Sequence, residues 1–210
     1  MRRVVLFLAV TAVLLLANGL QAEDVQAPSW RGDPGSTQQI WEFGDDSNPA
    51  NPTSYTNDNG MPTVSLPGGF AENTVWYPEY QGALGVWGFE IEMIASIPNF
   101  EIVNPLKQIW VQVTYLADFA PNVFAVPEGD LENVTVMTLV DDIVGSGNYS
   151  TAIYQATIEP NPAFEEIWIR PAECTTYIDE LVADTICIPE PATMCLLGLG
   201  ALALLRKRRP

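Results

Sequence analysis

Through most of the chain, apolar and polar positions alternate with a period of two. "KQIWVQVTYL" sets Ile109, Val111, Val113 and Tyr115 on one face and Trp110, Gln112 and Thr114 on the other, the pattern of a strand that buries one side. "GFEIEMI" alternates Phe89, Ile91 and Met93 with Glu90 and Glu92. The β-branched runs "NVTVMTLV" and "YSTAIYQATIE" follow, separated by a turn-like "DDIVGSGN", and "FEEIWIR" and "TYIDELVADTICI" complete the series. Weaker strands at Gln39–Phe43 and Thr63–Leu66 bring the expected number to about eight. No stretch carries three turns of amphipathic helix, and "GDDSNPANPTSYTNDNGMP" at 44–62 reads as a long surface loop. The pattern predicts an all-β two-sheet sandwich, of jelly-roll or immunoglobulin-like type, because alternating strands give each sheet one face to bury.

Both ends break the alternation. "MRRVVLFLAVTAVLLLANGLQA" places two arginines before an apolar run and a small residue at Ala22, the layout of a secretory signal peptide over 1–22, cleaved before Glu23. An uncleaved membrane anchor is the alternative. At the other end, "IPEPATMCLLGLGALALLRKRRP" joins Pro189, Glu190 and Pro191 to an apolar run from Ala192 to Leu205 and a basic cluster. As a helix that run covers only about 21 Å, short of the roughly 20 residues that a bilayer core asks for. Its terminal cations fit a cytoplasmic end, with the body across the inner membrane. Residues 23–188 are then the exported domain and 189–210 its tail.

That tail closely resembles the PEP-CTERM sorting signal of exported bacterial proteins, with Ile188 where valine is usual. The resemblance implies recognition of Pro189, Glu190 and Pro191 by an exosortase, a membrane enzyme. It also implies localisation at the cell envelope or surface, and association with exopolysaccharide and biofilm matrix. It covers the tail alone and assigns no family to the body.

Charge sharpens the picture of that body. Of 26 acidic residues all but Glu190 lie in it, while its bases are Arg31, Lys107 and Arg170. Its formal charge is near −22, against −17 for the whole chain. Such a surface excludes nucleic acid and anionic membrane as direct partners and favours divalent cations or neutral partners.

Candidate chemistry is thin. The chain has no histidine, which removes Ser-His-Asp and Cys-His machinery and most zinc sites. Carboxylate neighbours such as Glu90 with Glu92, or Glu165 with Glu166, read as solvated faces before they read as a glycosidase pair, so the expectation is a protein without catalytic activity. Oxygen-rich segments carrying Asp45, Asp46, Asp118, Asp130, Asp141 and Asp142 have ligand chemistry suited to Ca2+, without EF-hand spacing. Trp76, Tyr77, Tyr80 and Trp87 lie close together in sequence beside Gly-containing turns, as a loop-borne platform for carbohydrate would. Trp87, Trp110 and Trp168 also sit in strand-like runs, where an indole is more often a core anchor. Cys174 and Cys187 are candidates for a disulfide in an exported protein. "YIDELVADTI" resembles the last strand of carbohydrate-binding jelly rolls. The leading expectation is an exported structural or matrix-associated protein. The alternatives are a carbohydrate-binding module, with or without calcium, and a polysaccharide-acting enzyme.

Overall fold

The structure, a computed structural model, describes residues 24–67, 73–99, 105–127, 132–145, 147–162 and 164–188. The expected signal peptide, the tail with Pro189, Glu190 and Pro191, and Asp130 lie outside the described residues.

The architecture is all-β, with two antiparallel sheets. The larger is ordered β10 (Thr138–Val144), β11 (Tyr149–Ile158), β7 (Leu106–Leu116), β13 (Thr176–Ile188), β1 (Ser36–Trp41) and β2 (Ser54–Thr56). A hairpin of β4 (Val75–Tyr80) and β5 (Ala83–Phe89) joins it where β5 pairs the start of β13. The smaller sheet runs β3 (Thr63–Ser65), β6 (Met93–Pro98), β12 (Phe164–Pro171), β8 (Pro121–Pro127) and β9 (Thr135–Val136). Trp41, Trp87, Phe89, Met93, Ile109, Val113, Ile167, Ile169 and Leu181 fill the space between the sheets. Each such side chain contributes about 1.5–3 kcal/mol when removed from water.

The longest pairing joins β7 to β13, from Leu106 opposite Ile188 to Tyr115 opposite Ile178. Both segments are rich in β-branched and aromatic residues and lack Gly and Pro in their interiors, which sustains the ladder; its register shifts once, between Ile178 and Glu180. β13 is buried on both faces over most of its length. Its inner face meets the core, and its outer face is crossed by the segment that precedes β1.

Three expected boundaries move. "GFEIEMI" is not one strand: β5 ends at Phe89, β6 begins at Met93, and Glu90–Glu92 form the turn between the sheets, with Ile91 exposed. "NVTVMTLV" divides at Met137, which turns into the core while β9 stays in the smaller sheet and β10 enters the larger. The expected turn "DDIVGSGN" contributes Asp141–Val144 to β10, paired with β11, because an edge strand tolerates acids in water.

The expected disulfide is also corrected. Cys174 is exposed, Cys187 is buried, and both are free thiols. Nearly the whole of β13 separates them, roughly 35 Å at about 3.3 Å per residue, whereas a bridge needs Cα atoms within about 7 Å.

Candidate functional site

The four aromatics singled out by sequence divide between two roles. Trp76 and Trp87 face one another across the β4–β5 hairpin. Trp87 is fully buried, while Trp76 is half-buried against the core and donates from Nε1 to the Phe43 carbonyl at 2.9 Å. These indoles hold the hairpin on the sandwich. Tyr77 and Tyr80 instead join Tyr177 and Phe119. Tyr80 stacks on Tyr177 at 4.8 Å between centroids, Tyr77 lies 4.7 Å from Tyr80, and Phe119 meets Tyr177 edge-on at 5.0 Å. Gly88 makes this possible: a Cβ there would stand 2.8 Å from Tyr177 Cε1 and 3.2 Å from Tyr77 Cε2. Burial and the neighbouring Tyr80 push the Tyr177 hydroxyl up to about 12. Tyr77, Tyr80 and Tyr177 thus pack on one another as one aromatic cluster.

An open aromatic wall exists elsewhere, on the outer face of the larger sheet. A cleft of about 300 Å³ is lined by Trp30, Trp110, Gln108, Gln155, Thr138 and Thr157, with Ile109 and Ala156 beneath. Cross-strand register builds it. Trp110 of β7 stands opposite Gln155 of β11, Gln108 opposite Thr157, and Gln155 opposite Thr138 of β10. The two indoles are half-exposed, and no lining residue is charged.

Trp30 belongs to the segment lying across the sheet before β1, and its neighbour Arg31 pins that segment. The guanidinium grips Asp184 of β13 through Nε at 2.7 Å and Nη2 at 2.6 Å, and also pairs with Asp24. Gln112 of β7 adds two ties, donating to Asp24 Oδ1 at 2.7 Å and accepting from the Gln26 amide at 3.0 Å. Trp110 Nε1 donates to the Gln26 carbonyl at 3.0 Å. Burial holds Asp184 above its ordinary range despite Arg31, while Asp24, though partly buried, is held below it by Arg31 and Gln112. Trp110 is thus not the expected core anchor: the alternation of β7 turns it outward. Trp168 of β12 is turned outward too, beneath Arg170, whose guanidinium carbon lies 4.6 Å from the ring centroid.

Among the described residues the carboxylates put forward for calcium lie on separate elements. Asp45 and Asp46 follow β1, Asp118 lies in the β7–β8 turn, and Asp141 and Asp142 lie on β10. Asp45 is engaged by the Ser47 amide, and Asp142 accepts from Tyr115 Oη at 3.2 Å. Among the described residues no group of three metal-ligating side chains comes together. Glu92 pairs with Arg170 at 2.8 Å, and Glu90 accepts from Asn73. Glu165 is not solvated at all: it is fully buried, 2.8 Å from Lys107 Nζ. A second cleft of about 370 Å³ holds Glu42 and Asp179 beside Trp76. Burial, and then Glu42, push Asp179 up to about 6.

Comparison with known proteins bears on the tail. Residues 188–209 match the PEP-CTERM protein-sorting motif. The chain is exported. The motif sends its bearer to the cell envelope, anchored there before processing, and implies interaction with an exosortase-type enzyme. No curated protein matches the chain. Among solved structures, similarity extends to a family GH115 4-O-methyl-α-glucuronidase with specificity for decorated arabinogalactans. The TM-score is 0.33 at 9% identity, covering 53% of this chain and 16% of that enzyme. The globular domain of zebrafish complement 1qA protein overlaps with a TM-score of 0.32 at 9% identity, covering 73% of this chain and 97% of that one. Overlap this slight carries no argument for function.

Sequence reasoning missed Trp30 as a wall of the cleft and Tyr177 and Phe119 as partners of Tyr77 and Tyr80. The signal for Trp110 was present, since it shares the polar face of β7 with Gln112 and Thr114. Trp30 carried no periodic signal, because it lies outside any strand.

Proposed function

We propose that this exported chain is a matrix-associated, non-catalytic protein that grips uncharged polysaccharide in the Trp30–Trp110 cleft. The tail's apolar run and basic end hold it in the inner membrane until an exosortase acts on it. One observation carries the binding reading: on a body whose formal charge is near −22, the cleft is lined by two indoles, two glutamines and two threonines without a single carboxylate. Sugar rings present apolar C–H faces to indoles and hydroxyls to amides, so this lining suits a neutral saccharide. A charged partner would find no complement in it.

Calorimetric titration of neutral and acidic polysaccharides into the protein tests the reading. Trp110→Ala is expected to weaken binding to a neutral glycan at least about tenfold, the equivalent of about 1.4 kcal/mol, while Tyr80→Ala leaves it unchanged. Loss on Tyr80→Ala with retention in Trp110→Ala would move the site to the tyrosine patch and overturn the proposal.

A further inference from the structure

One end of the sandwich interior is polar. Lys107 on β7 and Cys187 on β13 stand opposite one another in register and point inward. Lys107 Nζ lies 3.8 Å from Cys187 Sγ and 2.8 Å from Glu165 Oε1 on β12 of the facing sheet. The thiol donates to Asn99 Oδ1 at 3.2 Å and lies 3.7 Å from Asn161 Oδ1. Asn161 is itself buried, and its Nδ2 has no hydrogen-bond partner among the described residues. A thiol, an amine and a carboxylate therefore share a buried site in a protein that is exported, where thiols meet oxidants. Cys187 has no route to a disulfide with Cys174, since β13 holds them apart.

We propose that Lys107 and Cys187 are a covalent cross-linking pair, joined by a sulfur–nitrogen bond when the protein meets peroxide, with Glu165 as proton acceptor. The thiol reduces one hydrogen peroxide, becoming a sulfenic acid and releasing water. Lys107 passes a proton to the Glu165 carboxylate, and the free amine attacks the oxidised sulfur. The S–O bond breaks as the S–N bond forms, and the departing hydroxide takes the second amine proton and leaves as water. The pair has lost two hydrogens, the two electrons having gone to peroxide. Asn161 Nδ2, an unused donor on a side chain the sulfur already approaches, is suited to receive the sulfenic oxygen.

The electrostatics favour this outcome. A buried ion pair loses much of its attraction to desolvation, whereas the linked state holds a neutral S–N bond beside a protonated Glu165. Burial already pushes that carboxyl up to about 7, against the pull of Lys107. The link closes the end of the longest strand pair one residue before the sorting motif begins.

The test uses the full chain carrying Cys174→Ser and Cys195→Ser, so that Cys187 is the sole thiol. After mild hydrogen peroxide treatment, intact mass and peptide mapping are expected to show a loss of about 2 Da and a Lys107–Cys187 linked peptide that dithiothreitol releases. Adding Cys187→Ser abolishes the change. Lys107→Arg keeps the cation beside Glu165 but removes the amine, so sulfur oxidation with a mass gain of about 16 or 32 Da replaces the loss. The proposal is overturned by an unchanged mass. It is equally overturned by a mass gain at Cys187 with Lys107 intact, or by a 2 Da loss that persists in Lys107→Arg.

Discussion

Replacing Glu165 by glutamine is expected to flatten the dependence of stability on pH. Glu165 is fully buried, and burial places its folded value at about 7 against an ordinary 4.5, even with Lys107 at 2.8 Å. The folded chain thus holds the proton more tightly than the unfolded chain between these values. Stability associated with this group is fully present below about 4.5 and is lost as pH rises through about 7. Integrating the two titrations gives a loss of about 2 kcal/mol between pH 5 and pH 7, and about 3 kcal/mol in all. Glutamine has nearly the same shape and no titration, so that loss disappears from the variant. Urea denaturation of both proteins at pH 5, 6, 7 and 8 reads the difference directly. Asp179, pushed up to about 6 by burial and Glu42, titrates in the same window with the same sign, but it is common to both proteins and cancels. If the two proteins lose the same stability between pH 5 and 7, burial does not hold the carboxyl neutral and the reasoning fails.

Two further perturbations probe the elements that frame the candidate surfaces. Gly88→Val drives a side chain into Tyr177 and Tyr77, whose ring atoms stand 2.8 and 3.2 Å from the place a Cβ would take at that residue. A loss of about 1–3 kcal/mol is expected, checked by thermal melting and near-ultraviolet circular dichroism of the tyrosines. Arg31→Ala leaves Asp184, whose side chain is fully buried, without its bidentate partner. A loss of about 2 kcal/mol is expected, together with faster amide exchange over residues 24–35, because the segment carrying Trp30 loses its pin.

The inward face of β7 was legible from sequence, since a strict period of two leaves one solution for which side is buried; that of β13 was not, because the register shift between Ile178 and Glu180 breaks its period. The chain crossings were not. Glu90–Glu92 alternate as a strand would, and only the need for Phe89 and Met93 to enter different sheets makes them a turn. Glu165 misled for the same reason. One acid in an acidic chain reads as a solvated face, and the cation that explains its burial is 58 positions away in sequence and on the other sheet.

By itself, then, the sequence determined that the chain is exported with a sorting tail, that its body is all-β and strongly acidic, and which face of β7 is apolar. Those properties are local: each is read from neighbouring residues. Tertiary structure alone decided which distant residues meet. It stacked Tyr80 on Tyr177, kept Cys174 from Cys187, seated Lys107 between Glu165 and Cys187, and stood Trp30 beside Trp110 over a floor free of charge. Strand order and register make these encounters, and they depend on the mutual packing of two sheets that no single stretch of the chain encodes.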